Sequence, residues 1–315
     1  MPLPYLTGYC DHLSVKPGEE IRFMVSGVGA DQADVQIVRI IHGDENPAGP
    51  GFIETEIAAS CNTPIAIAEQ STQVGSFMEI EGDVDCFDVA GDFSIHTFIF
   101  STTPLKGRQG LVTRWAADCG VGLGINDDGR VALWIGDGEQ VAEIAASKPL
   151  TPHIWYFVCA SYEAASGTLS ITQEPIVNAY NSRLSRLVPS IDGCARSTTP
   201  TVKPLAPNAS MLLAAYHSDG AIGGVFNGKI DRAGIHRRVL SSAEREAIRD
   251  GEMPPADGLV TYWDTTARYT ADGIGDVLVD RGPHALHGRG RNRPVRAMTG
   301  YNWAGRDDCF RLAPE

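Results

Sequence analysis

Short apolar runs, separated by glycine and proline, recur along most of this 315-residue chain. That rhythm predicts strands rather than helices. Ile21-Arg-Phe-Met-Val-Ser follows the turn signal Pro17-Gly18 and places Ile21, Phe23 and Val25 on one face. Val35-Gln-Ile-Val-Arg-Ile-Ile is the next run. A lone strand pair is marginal in water, so residues 1 to about 42 need partner strands from elsewhere. His42 to Gly51 is a Gly/Pro-rich loop, and residues 52–72 show no clear period.

From Gly75 the β pattern becomes dense. Phe93-Ser-Ile-His-Thr-Phe-Ile-Phe is apolar on both faces, as a central strand covered on both sides must be. Gly122-Leu-Gly-Ile and Arg130-Val-Ala-Leu-Trp-Ile flank Asn126-Asp-Asp-Gly129, a hairpin turn. The Trp155 and Thr168 runs flank a second hairpin at Ser166-Gly167. Residues 181–208 are polar and proline-containing and predict a long loop. One helix is expected. Ser241 lies three residues before Glu244, the capping-box spacing, and Gly251 followed by Pro254-Pro255 ends the helix. No repeat of 20–50 residues is visible.

Hydrophobic residues make up 43% of the chain, enough for a substantial core. The net charge of -13 disfavours a nucleic-acid partner, which needs a concentrated basic face. No run approaches the length of a membrane helix, and no signal peptide is visible at the N-terminus. The seven cysteines are scattered without metal-ribbon spacing and are expected to be reduced thiols in a cytoplasmic protein.

Few side-chain groupings suggest chemistry. Glu79, Glu81, Asp83 and Asp85 alternate, so a strand would carry them on one face. A solvated strand end explains them better than calcium or a glycosidase pair. His42 and Asp44 fit a turn held by side-chain hydrogen bonds. His284 and His287 fall on a glycine-rich loop rather than at metal-binding spacing on a helix. Gly120-Val-Gly-Leu-Gly124 is followed by a hairpin turn, not the helix that a dinucleotide site requires. The five tryptophans, Trp115, Trp134, Trp155, Trp263 and Trp303, are expected mostly in the core rather than stacking sugars. Arg281, Arg289, Arg291, Arg293 and Arg296 form a basic cluster in an acidic chain. A solvated loop is the ordinary reading of such a run; the alternative is contact with a protein partner of acidic surface, because arginine is favoured at interfaces. No catalytic, cofactor or metal residue is assigned.

Two resemblances refine this picture. Gly75-Ser-Phe-Met-Glu-Ile-Glu-Gly, Gly91-Asp-Phe-Ser-Ile-His-Thr-Phe-Ile, the Trp155 hairpin and Asn227-Gly-Lys-Ile-Asp together resemble a laminin-G-like, concanavalin A-like jelly roll. Pro17-Gly-Glu before an alternating strand resembles the start of an immunoglobulin-like sandwich. The expected fold is therefore all-β: a laminin-G-like β-sandwich preceded by a partial immunoglobulin-like segment. The expected divisions are 1–42, a partial immunoglobulin-like segment; 43–74, linker and loop; 75–252, sandwich core; and 253–315, C-terminal strands. Tyr262-Trp-Asp, Asp280-Arg-Gly-Pro-His-Ala-Leu-His-Gly and Asn292-Arg-Pro resemble the segment that usually opens such domains. Their late position suggests completion of the sandwich by circular permutation.

The whole chain resembles something narrower. Gly8-Tyr-Cys-Asp, Arg39-Ile-Ile-His-Gly-Asp-Glu-Asn-Pro-Ala-Gly-Pro-Gly, Ser101-Thr-Thr-Pro-Leu-Lys-Gly-Arg-Gln-Gly and Gly300-Tyr-Asn-Trp are similar to the front part of the large (beta) subunit of N,N-dimethylformamidase. That family hydrolyses small formamides with a mononuclear iron in a later domain. The resemblance implies that the iron domain lies outside this chain, and so do the strands missing from residues 1–42. It implies a non-catalytic assembly module, oligomeric, whose partners are a catalytic-domain chain, a small subunit, or both. The alternatives are a free-standing glycan- or protein-binding module and an independent hydrolase. Exposed tryptophans would mark the first, and a buried carboxylate pair or a metal the second.

Overall fold

The computed structural model describes residues 5–46, 48–70, 75–176, 193–218, 220–267, 277–297 and 300–302. It separates into two compact units, Met1–Thr72 and Gln73–Glu315.

The first unit holds six strands in three separate pairs. β1 (Tyr5–Cys10) pairs with β2 (Phe23–Val28), where the alternating Ile21 run led us to expect a strand. β3 (Gln32–Ala33), β4 (Val38–His42), β5 (Ile53–Glu56) and β6 (Ile65–Ala66) follow. β3 pairs with β6 and β4 with β5. Residues 43–72, expected as linker and loop, thus carry two strands and belong to this unit. Their pattern hides them because neither strand has a buried face to impose a period. Gly27 is the one buried residue described in the unit; a Cβ there would meet Ile67 Cδ1 at 2.3 Å.

The second unit contains β7 (Phe77–Ile80), β8 (Phe93–Ser101), β9 (Gln109–Ala116), β10 (Cys119–Ile125), β11 (Val131–Asp137), β12 (Val141–Ala145), β13 (Trp155–Glu163) and β14 (Thr168–Pro175). It continues through β15 (Cys194–Thr198), β16 (Leu212–Leu213), β17 (Tyr216–Ser218), β18 (Ala221–Gly223) and β19 (Gly228–His236). Helix α1 (Ser242–Arg249), β20 (Leu259–Asp264), β21 (Val277–Asp280) and β22 (Gly288–Arg291) complete it. One sheet runs β12-β11-β10-β9-β16-β7-β22-β21 and the other β20-β19-β8-β13-β14-β15; β20 and β21 pair and join them. All of these pairings are antiparallel. Strands from residues 259–291 therefore lie within both sheets of the sandwich.

Apolar side chains from the two inner faces interdigitate. Leu123, Leu133 and Ile135 of the first sheet share a cluster with Ile95, Val158 and Ile235 of the second. The join is fixed by Asp280, whose buried carboxylate accepts the backbone N–H groups of Tyr262, Gly282 and Leu286 at 2.7–2.9 Å.

A second apolar layer covers the outer face of the second sheet. Phe98, Phe157, Leu240, Ile248 and Tyr301 pack there, so β8 and β13 are buried on both faces. Helix α1 supplies Ile248. Its N-terminus is the expected capping box: Ser241 Oγ accepts from Glu244 N, and the Glu244 carboxylate accepts from Ser241 N at 2.9 Å. Arg238 also holds that carboxylate, and these bonds bring its pKa down to about 2. Ser241→Ala is expected to cost about 1 kcal/mol in urea unfolding, the usual value of such a cap.

Candidate functional site

Two places on the outer face of the second sheet combine polar chemistry with a built setting. The first is a cleft of ≈ 290 Å³ between strands β13–β15 and α1. Ser161, Ser170 and Ser197 line it in register across the three strands, with Cys159 and Thr172 one row away. Arg245 flanks it, while the Arg196 side chain lies on the opposite face of β15 with its register partner Ile171. Arg245 is anchored on Leu240 O and Ser242 Oγ, and Arg196 on Ala145 O. No carboxylate lines this cleft among the described residues. The arrangement offers hydroxyl groups beside one cation, Arg245, which suits an oxygen-rich anion.

Cys159 and His96 are register partners at the inner end of that cleft. The pair is not a nucleophile and base. Burial pushes the Cys159 thiol up to about 12 and His96 down to about 3. At neutral pH a neutral thiol lies beside a neutral imidazole, without the ion pair that activates a cysteine. His96 is enclosed by its surroundings: a Cβ on Gly234 would meet its Nε2 at 2.6 Å, and the His236 ring lies 5.8 Å away. Neither ring nitrogen of His96 has a hydrogen-bond partner among the described residues.

The second place is the irregularity in β19, where the register shifts between Asp231 and Gly234. Arg232 adopts φ +49° there, which turns its side chain across the sheet face. Its guanidinium donates to Tyr262 Oη (2.6 Å), Tyr301 Oη (2.7 Å), Gly251 O (2.9 Å) and Glu252 O (2.7 Å). Tyr301 also stacks on Phe98 at 3.8 Å. The segment 300–302 is thereby fastened to the sandwich. Asp231 accepts from Thr265 Oγ1 at 2.5 Å, and burial raises its pKa. The two phenols converge on one guanidinium. Tyr301→Phe is expected to cost about 1.5–3 kcal/mol, the worth of a hydrogen bond to a charged group, in urea unfolding of the second unit.

The sequence-derived candidates fall elsewhere. Arg289 pairs with Glu81 at 2.7 Å and Arg291 with Glu79 at 2.6 Å across β22 and β7. Arg281 pairs with Asp264 at 3.3 Å, and Arg296 donates to Ala267 O and Val277 O. Arg293 lies beside them in the loop after β22 with φ +54°. These arginines are thus engaged inside the unit, while Arg281, Arg289 and Arg291 keep half-exposed side chains. The alternating carboxylates are engaged as well. Asp83 caps a short turn over Val84–Cys86, and Asp85 pairs with the buried Arg114. Arg114 also donates to Val84 O and Phe87 O at 2.9 Å.

His42 Nδ1 bonds Gly51 O at 2.8 Å, and Asp44 accepts from Asn46 N, so both brace their loop. His287 Nδ1 accepts from Asp280 N, and His284 is not brought to it as a ligand pair. Among the described residues no three His, Cys, Asp or Glu side chains converge as metal ligands. Trp115, Trp134, Trp155 and Trp263 are buried and present no stacking face; Trp303 lies outside the described residues. No helix among the described residues is long and apolar enough to cross a membrane.

The Arg232 clamp leaves no local signal in the sequence, because both phenols come from distant positions. It missed the hydroxyl rows and His96. Their signal is polar residues inside otherwise apolar strands: Ser94 and His96 in β8, and Ser161 in β13.

Comparison with known proteins places the chain. It is 37% identical over 98% of its length to the N,N-dimethylformamidase beta subunit of Paracoccus aminophilus, and 36% identical over 98% to that of an Alcaligenes species. It spans 42% of the length of each of these relatives. No family model matches. Among solved structures, the CBM40 module of Ruminococcus gnavus IT-sialidase aligns with 57% of this chain and 97% of its own, at 14% identity and a TM-score of 0.42.

Proposed function

We propose that this chain, a homologue of part of the N,N-dimethylformamidase beta subunit, serves as a non-catalytic assembly module of a dimethylformamidase-like amidohydrolase. The observation that carries the reading is the homology itself. It is continuous over both units, yet it covers 42% of the relatives. The rest of such a subunit then supplies the iron-dependent hydrolysis of small formamides. The geometry supports this division. The carboxylates of Glu79, Glu81, Asp85 and Asp264 pair with arginines, and the phenols of Tyr262 and Tyr301 accept from Arg232. A cytoplasmic setting is part of the same reading.

An activity split tests it. The purified 315-residue chain and the assembly containing it in its source cells are each assayed for dimethylamine release from N,N-dimethylformamide. The expected outcome is turnover by the assembly and none by the chain. Turnover by the chain alone would make it an independent hydrolase and end the reading.

A further inference from the structure

The first unit is built as part of a domain. Each of its three ladders has two strands, and such pairs are marginal in water. Large apolar side chains stand open on them: Phe23 is 64% exposed, Tyr5 58%, Ile40 60% and Ile41 60%. Residues 68–70 reach the second edge of β2 at Ser26 and Gly27, where Gly27 N donates to Ala68 O; among the described residues the rest of that edge, residues 23–25, and the second edge of β4 have no partner strand. A free edge next to an apolar face is a template for another strand.

We infer that the first unit is one portion of a composite β-sandwich. Its missing strands come from the part of a dimethylformamidase-type beta subunit that lies outside the match. The inference rests on the functional reading above and names the contact through which the module would assemble. Three observations select this occupant. The relatives extend far beyond the matched 42%, so further strands have a source. The open groups are backbone edges with apolar side chains, which suit an added strand rather than a small ligand. Residues 1–72 carry ten Asp and Glu against three Lys and Arg, so the incoming strands should be basic at their flanks. A second copy of this chain brings the same acidic excess and is disfavoured as its own partner.

Hydrogen exchange read by mass spectrometry tests this. The isolated chain is compared with the same residues in the source-cell assembly, whether the added strands arrive on one polypeptide or on a companion. Amides of Phe23–Val28 and Val38–His42 are expected to exchange at least ~tenfold more slowly in the assembly, while β8 and β13 are unchanged. Phe23→Lys with Ile40→Lys alters two exposed positions and should abolish the added protection without changing exchange in the second unit. An assembly that contains a beta-subunit-type polypeptide but leaves the first unit unprotected overturns the inference and keeps the functional reading. Recovery of the chain alone overturns both. Protection that rises with the concentration of the isolated chain assigns the surface to a second copy and overturns the inference as well.

Discussion

The second unit is expected to lose stability steadily as pH falls below about 6.5, the ordinary histidine value. His96 is the cause. It is fully buried, and desolvation, helped by His236 and Arg232, brings its pKa from 6.5 to about 3. The folded state therefore binds this proton later than the unfolded chain does. Stability is intact above the unfolded pKa. It falls by about 1.4 kcal/mol per pH unit below it, until the folded pKa is reached near 3. The total approaches ~5 kcal/mol, comparable with the whole stability of many domains. Burial also lowers His236, so it acts in the same direction, whereas the raised Asp231 carboxyl opposes it in acid. Urea titrations at pH 7.5 and 5.0 should differ by roughly 2 kcal/mol from His96. His96→Asn, neutral at both pH values, should narrow that difference. A flat profile in the parent protein would contradict a neutral, desolvated His96.

Trp134→Ala is expected to cost about 3–5 kcal/mol, the range for removing a fully buried aromatic side chain. Trp134 lies on the outer face of the first sheet, edge-on to Trp115 and Tyr216, with the Arg108 guanidinium 4.8 Å above its ring. Its indole rests on the neighbouring strand, where Gly122 is its register partner. A Cβ at Gly122 would stand 2.2 Å from the ring, and one at Gly124 2.4 Å from it. The glycine run that resembles a nucleotide loop is thus a bed for one tryptophan. Gly122→Ala should cost about 1–3 kcal/mol by overpacking. Because both substitutions act on one contact, the double variant should lose less than the two losses combined. Strictly additive losses in urea unfolding would mean that the ring does not rest on Gly122.

Local signals in the sequence foretold local structure well. The Ser241–Glu244 spacing became a capping box, because both partners lie within one turn. The hairpin at Asn126–Gly129 formed because Asn126 Oδ1 accepts from Asp128 N and Arg130 N. The all-apolar reading of β8 follows from two cores, one on each face. Pairings distant along the chain left no such trace. Glu79 and Glu81 read as a solvated strand end, yet they meet Arg291 and Arg289 from more than 200 positions away. The Arg232 clamp was equally hidden, since its geometry depends on a positive φ at a residue that is not glycine. Ile40 and Ile41 predicted strand correctly, but nothing in their pattern revealed that both would stand exposed.

The most direct measurement is native mass spectrometry of the assembly purified from source cells, with peptide sequencing of every component. The expected result is a species well above 33.8 kDa that joins this chain to polypeptide matching the rest of a dimethylformamidase beta subunit. A lone 33.8-kDa monomer, with no such polypeptide on the same or a companion chain, would contradict its role as an assembly module.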